Sequence, residues 1–325
     1  MKICYFTCSS SFGGMEKIVV DSLNKISEEH ECAILVPQDC NYKNRFSKNV
    51  KLIEFKASNQ RFNPFLYLEV YNFLKNYDIV HTHGAKATKI TYFINKLLPF
   101  SHIATKHNVR KGKIFNKIKN VISVSSEVAK TITHSSKVLY FGISQTLNIE
   151  SNKNDIFTII AVGRLDNIKG FNTLIEKVSN LNFEFQLNII GEGPERLKLL
   201  ELINSKSLSN KVSLLGFKDN IPKYLKNSHL QVISSLSEGL PLTLLEGIMN
   251  SSVIISTPVG GIIEVLESDY LVDINDFPNK IIDIHNNYEF YCNDFKLKHN
   301  HLKQKFNFDD YSKKLLEYYK GCINE

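Results

Sequence analysis

Two glutamates stand eight positions apart in Ser237-Glu238-Gly239-Leu240-Pro241-Leu242-Thr243-Leu244-Leu245-Glu246. Carboxylates accept hydrogen bonds from neighbouring hydroxyls, so such a pair suits a sugar or a ribose. Pro241 is expected as the first helical residue, which leaves the N–H groups of Leu242 and Thr243 free for a ligand. Glu238 then lies in the loop before the helix, and Glu246 lies more than one turn inside it. Upstream, Val162-Gly163-Arg164-Leu165-Asp166-Asn167-Ile168-Lys169-Gly170 follows an apolar run. A forked guanidinium and a point-charge ammonium can hold a diphosphate without metal. Taken alone, Arg164 and Lys169 are as readily two solvated loop cations.

Three further segments carry polar chemistry. Ser11-Phe12-Gly13-Gly14-Met15-Glu16 joins a predicted strand to a predicted helix. Its glycines let backbone approach a ligand, and the helix start offers free N–H groups to a phosphate; a plain tight turn is the other reading. It is not the GxGxxG dinucleotide pattern. Asp78-Ile79-Val80-His81-Thr82-His83-Gly84 places His81 and His83 on one strand face, with His83 at the strand's end. His107, in Thr105-Lys106-His107-Asn108, is a weaker candidate. Between Ile79 and Ser126 there is no Asp or Glu, while Lys86, Lys89, Lys96, Lys106, Arg110, Lys111, Lys113, Lys117 and Lys119 all fall there. That stretch is either a solvated surface or a dock for an anionic membrane or an acceptor's phosphates. Lys86, Lys89, Arg110 and Lys111 are its candidate contacts, and Ala85–Ile94 is its candidate interfacial helix. No base-reading or stacking module accompanies the lysines, so nucleic acid is not an expected partner.

The elements that must position these residues are legible from hydrophobic period. The chain has 325 residues, 43% hydrophobic and 22% charged, with a formal charge of +7. That is a soluble composition with room for two cores. No apolar run is long enough to span a membrane. The start, MKICYFTCSS, lacks the features of a secretory signal. The six cysteines form no CxxC pair, so reduced thiols in a cytoplasmic protein are expected and no zinc site is visible. Short apolar runs alternate with amphipathic helices twice over, with a polar stretch, Ser144–Asp155, between the two series. This predicts two doubly wound α/β domains, 1–148 and 149–305, each a parallel sheet with ligand at the carboxyl ends of its strands.

The Glu238–Glu246 spacing with its EGLP core resembles the signature of retaining glycosyltransferase family 4, of the GT-B fold. Gly13-Gly14, Gly163-Arg164-Leu165 with Lys169-Gly170, Gly191-Glu192-Gly193-Pro194, Leu215-Gly216-Phe217 and Thr257-Pro258-Val259-Gly260-Gly261 match in the family's order over nearly the whole chain. The resemblance implies two Rossmann-like domains facing across a cleft. The first would bind the acceptor and the second a nucleotide-diphosphate sugar, with residues 306–325 crossing back to the first. Arg164 and Lys169 would bind the diphosphate, Glu246 the ribose, and Glu238 the transferred sugar. The amides around Gly239, Leu240, Pro241, Leu242 and Thr243 would hold phosphate and sugar oxygens. Gly13 and Gly14 would approach the donor, and Phe217 would border the base. His83 would serve in sugar contact, orientation or proton handling. The family's Asn and Asp before the linker are replaced by Phe141 and Ser144.

With no Asp-x-Asp triplet, the leaving diphosphate is expected to be neutralised by cations and helix N-termini, with no essential metal or cofactor. The resemblance therefore implies a retaining, metal-independent hexosyl transfer. UDP-sugar is the favoured donor, and a cell-surface or lipid-linked glycan the acceptor, as in enzymes of lipopolysaccharide or capsule synthesis. Peripheral contact with the inner membrane face is expected. Two rival readings are a GT-B epimerase or phosphorylase and a non-catalytic glycan- or nucleotide-binding homologue.

Overall fold

The computed structural model describes residues 1–60, 62–144, 153 and 155–323. Twelve strands form among these residues. β1 (Lys2–Thr7), β2 (Glu31–Pro37), β3 (Val50–Phe55), β4 (Ile79–His83), β5 (Ser101–Lys106), β6 (Asn120–Ser123) and β7 (Lys137–Val138) make one sheet in the order β3-β2-β1-β4-β5-β6-β7. β8 (Phe157–Val162), β9 (Phe185–Ile190), β10 (Val212–Leu214), β11 (Leu230–Ile233) and β12 (Ile254–Ser256) make the other, in the order β10-β9-β8-β11-β12. Neighbours pair in parallel throughout. These are the two doubly wound sheets that the alternating pattern predicts. In each, strand order reverses at the first strand, which creates a switch point between β1 and β4 and another between β8 and β11.

The first sheet shows how the period of two sorts its side chains. Cys4, Phe6 and Val80 join Leu66, Val70 and Leu74 of the helix Pro64–Leu74 and Ala87, Ile90 and Ile94 of the helix Ala85–Ile94 in one core. Tyr5 and His81, partners in the β1–β4 register, face the other way. There the Tyr319 hydroxyl lies 2.7 Å from the Tyr5 hydroxyl and 2.5 Å from His81 Nδ1. Tyr319 belongs to the C-terminal helix Phe308–Ile323.

The chain divides into Met1–Phe141 with Phe308–Glu325, and Gly142–Asn307. The break falls before the expected 148/149, because the Ile143 amide donates to the Phe306 carbonyl at 2.8 Å and Ile143 bridges Asn307. Residues 142–144 and 306–307 are thereby tied to the second unit. Except for Ser144, Lys153 and Asp155, the polar stretch read as a linker lies outside the described residues. Two local expectations are also corrected. Pro241 is extended (φ −72°, ψ 133°) and caps the helix Leu242–Asn250 instead of opening it. The hydrophobic spacing of Gly261–Glu267 predicts a helix, and the segment forms instead a 3-10 turn, Gly260–Glu264, led by a left-handed Gly260.

Candidate functional site

In the second unit the chemistry-bearing residues gather where β8 and β11 end. Lys169 closes a 3-10 turn, Asn167–Lys169, capped by Asp166. Its ammonium lies 2.5 Å from Glu238 Oε1, with both side chains mostly buried. The Ser235 hydroxyl donates to the same oxygen at 2.6 Å. One carboxylate thus accepts from a cation and a hydroxyl, which fixes its orientation without saturating its other oxygen.

The loops carrying this pair are bonded to one another through backbone. Leu236 N donates to Ile168 O, Gly261 N to Gly239 O, Leu165 N to Glu192 O, and Gly191 N to Gly216 O. Two glycines set the closeness. Gly170 has φ +65°, and a Cβ there would lie 2.2 Å from Ser234 O. Gly260 has φ +53°, and a Cβ there would lie 1.9 Å from Glu238 O. Left-handed backbone and contact with a carbonyl together exclude any side chain at either position. Gly260→Ala is expected to destabilise the chain by about 2–3 kcal/mol. A denaturant titration that leaves the midpoint unchanged would refute this.

The remaining expected residues are placed as follows. Arg164 is largely exposed, with Nε 4.0 Å from Asp166 Oδ2, so its fork is not pinned. Leu240 and Leu242 are buried, and at the first helical positions Leu242 and Thr243 have no intrahelical acceptor for their amides. Glu246 is buried on the same helix. Phe217 is half exposed beside Gly216, whose φ is +71°. Sequence reasoning missed Gln231. It is buried in β11, donates to Thr243 O at 2.7 Å and accepts from Ser251 Oγ at 2.8 Å, clamping the acid-bearing helix to the strand. The signal was a lone amide inside Leu230-Gln231-Val232-Ile233.

In the first unit β4 and β5 bring His83 and His107 together, His83 Nδ1 lying 3.0 Å from His107 Nε2. His81 lies beside His83 with ring centroids 4.3 Å apart and planes tilted by 38°, and it bonds Thr105 Oγ1 at 2.6 Å. His83 Nε2 is buried and has no partner among the described residues. Burial, reinforced by neighbouring histidines, holds His81 and His83 well below the usual imidazole range. Burial alone pushes His107 down to about 4. The rings are therefore neutral near pH 7, and His83 offers one unused nitrogen as donor or acceptor.

Gly13 caps the helix Gly14–Ile26, and Glu16 is buried in its first turn, so this helix start already carries a carboxylate. The expected role of Lys86 as a surface contact needs correction. Its ammonium turns inward to Asn59 O at 2.5 Å and to Asn59 Oδ1, while Asn59 donates to Cys8 O at 2.9 Å. Lys106 is likewise buried and bonds the Thr131 hydroxyl. Lys89 is partly exposed, and Arg110 and Lys111 are exposed in the loop after β5.

Two parallel sheets with polar residues at their switch points define a doubly wound α/β protein. The family model for glycosyl transferases group 1 matches residues 144–295. The second unit is thus similar to the group 1 glycosyltransferases, and the two units have the GT-B fold. An uncharacterized glycosyltransferase of Methanocaldococcus jannaschii is 28% identical over 238 residues, 65% of this chain and 66% of that protein. The N-acetylgalactosamine-N,N'-diacetylbacillosaminyl-diphospho-undecaprenol 4-alpha-N-acetylgalactosaminyltransferase of Campylobacter jejuni is 36% identical over 99 residues, 30% of this chain and 27% of that protein. The matches thus span from about a quarter to just under two thirds of those relatives' lengths. Anabaena HepE in complex with UDP-glucose superposes with a TM-score of 0.89 at 17% identity, covering 99% of this chain and 100% of HepE. No helix among the described residues is long and apolar enough to cross a membrane.

Proposed function

We propose that the chain is a retaining glycosyltransferase that moves a hexose from a UDP-sugar to a lipid-linked or cell-surface glycan at the cytoplasmic membrane face. The observation that carries this reading is the Lys169–Glu238 pair at the carboxyl edge of the second sheet, beside the open amides of the helix Leu242–Asn250. Lys169 and the exposed fork of Arg164 receive the diphosphate, and the amides of Leu242 and Thr243 add partial positive charge. Glu246 takes the ribose, Phe217 borders the base, and Glu238 takes a sugar hydroxyl. A carboxylate already held by an ammonium and by Ser235 is a weak nucleophile. The reading therefore uses front-face departure, in which the leaving phosphate deprotonates the acceptor hydroxyl. His83, paired with His107, orients sugar or acceptor as a neutral ring.

The activity needs no metal, because these cations and amides neutralise the leaving group. Transfer from a UDP-sugar to a lipid-linked glycan is expected to be unchanged by chelation of divalent metals. The anomeric configuration of the product, read by NMR, should be that of the donor. A loss of more than about tenfold on chelation would overturn metal independence, and an inverted product would overturn retention.

A further inference from the structure

The first unit carries an outward apolar face that its core does not use. Phe62, Phe65, Leu68, Phe93 and Leu97 are between 44% and 78% exposed. The helix Pro64–Leu74 buries Leu66, Val70 and Leu74 inward, so it is apolar on both sides. A surface helix ordinarily turns a polar face to water. The rings of Tyr67 and Phe93 approach to 6.4 Å across the two helices, and Phe62, Pro64, Tyr67, Lys89 and Phe93 line one shallow hollow.

The charges held against its rings are positive. Lys89 Nζ sits 4.8 Å above the Phe62 ring, and Lys96 Nζ 5.1 Å above Tyr92 and 5.8 Å above Phe93. Lys117 reaches Tyr92 at 5.9 Å. The one acid on the helix Pro64–Leu74, Glu69, is occupied by the amides of Lys56 and Ala57. Aromatic rings with ammonium groups held over them suit the headgroup layer of an anionic bilayer, where rings enter the acyl boundary and lysines meet phosphates. A second copy of the chain would set like charges against each other. The patch also adjoins the polar face of the same unit, since Asn59, three residues before Phe62, bonds both Cys8 O after β1 and Lys86.

We propose that this unit docks on anionic phospholipid bilayers through Phe62, Phe65, Leu68, Phe93 and Leu97, with Lys89 and Lys96 contacting lipid phosphates. The helix Pro64–Leu74, not the acid-free stretch alone, supplies the inserting groups. The inference rests on the lipid-linked-acceptor reading for its purpose, and the measurement separates the two. The full chain is sedimented with vesicles of phosphatidylethanolamine and phosphatidylglycerol, and with phosphatidylcholine vesicles. UDP affinity is measured separately by calorimetry.

The wild type should bind the anionic vesicles, and added salt should weaken binding. The double variant Phe65→Ser, Leu68→Ser should bind about tenfold or more weakly, and Lys96→Glu about tenfold, both with unchanged UDP affinity. Retained UDP affinity shows that the second unit folds in the variants, and an unchanged far-ultraviolet circular dichroism spectrum and thermal midpoint show that the first unit does. Wild-type chain left in the supernatant, undiminished binding by the double variant, equal binding to phosphatidylcholine, or a dimer lost in the double variant would each overturn the proposal. Vesicle binding without UDP binding would instead sink the transferase reading and leave the docking surface standing.

Discussion

Lys169→Ala is expected to lower turnover by about 10²–10³-fold, the effect of removing one preorganised charge from a leaving-group site. Lys169 is held within 2.5 Å of Glu238, on a turn whose neighbour Gly170 abuts Ser234 O. The ammonium is therefore in place before any donor arrives, and no reorganisation is needed when charge develops on the diphosphate. The loss should fall mainly on kcat, because charge on the leaving oxygens is greatest in the transition state. Arg164→Ala should act differently. Its exposed fork must be ordered by the donor, so KM should rise along with any fall in kcat. Steady-state kinetics with a UDP-sugar decide the matter. A Lys169→Ala enzyme within tenfold of wild type would remove this residue from the mechanism.

The second large effect is on stability against acid. His102 and His107 are held near 3 and 4 by burial, against an unperturbed 6.5, and His81 and His83 lie well below it for the same reason. The folded state keeps these rings neutral while the unfolded state protonates them below about pH 6.5, so stability is full above that pH and falls as pH drops. Each ring contributes about 1.4 kcal/mol per pH unit in that window. His102 and His107 together should remove about 4 kcal/mol between pH 6.5 and 5. Denaturant midpoints should fall steeply over this interval and change little between pH 7 and 8. A flat profile from pH 7 to 5 would show that water or rearrangement already solvates the rings. His102→Gln, which can still reach the Thr82 hydroxyl now 3.0 Å away, should flatten the slope by one proton.

The sequence exposed most of the scaffold because parallel strands buried on both faces are short apolar runs, and Phe157–Val162 or Ser101–Lys106 read directly. It exposed Glu238, the two cations and the glycines because each lies in a short loop at a strand end, and Glu246 through its spacing from Glu238 in the following helix. What it concealed depends on neighbours distant in the chain. His83 meets His107 only because β4 pairs with β5 in a register that sets His83 against Thr105. Lys86 looked like a surface cation until Asn59 took its ammonium. The outer face of Pro64–Leu74 was invisible because apolar residues on both sides of a helix leave little contrast from which to read a direction. Pro241 was placed one position too far in, since proline's φ near −65° fits both a cap and a first turn.

Tyr319 has a consequence for how this molecule is made. Its hydroxyl completes the bonds of Tyr5 and His81, yet about half the polypeptide is translated between Phe141 and the segment that carries it. A nascent chain must wait on the order of ten seconds or more for that last piece. During the wait the back of the first sheet is open, and the second unit, contiguous from Gly142 to Asn307, can finish first. Early release from the ribosome would strand an aromatic surface in water, where a chaperone or an aggregate would find it.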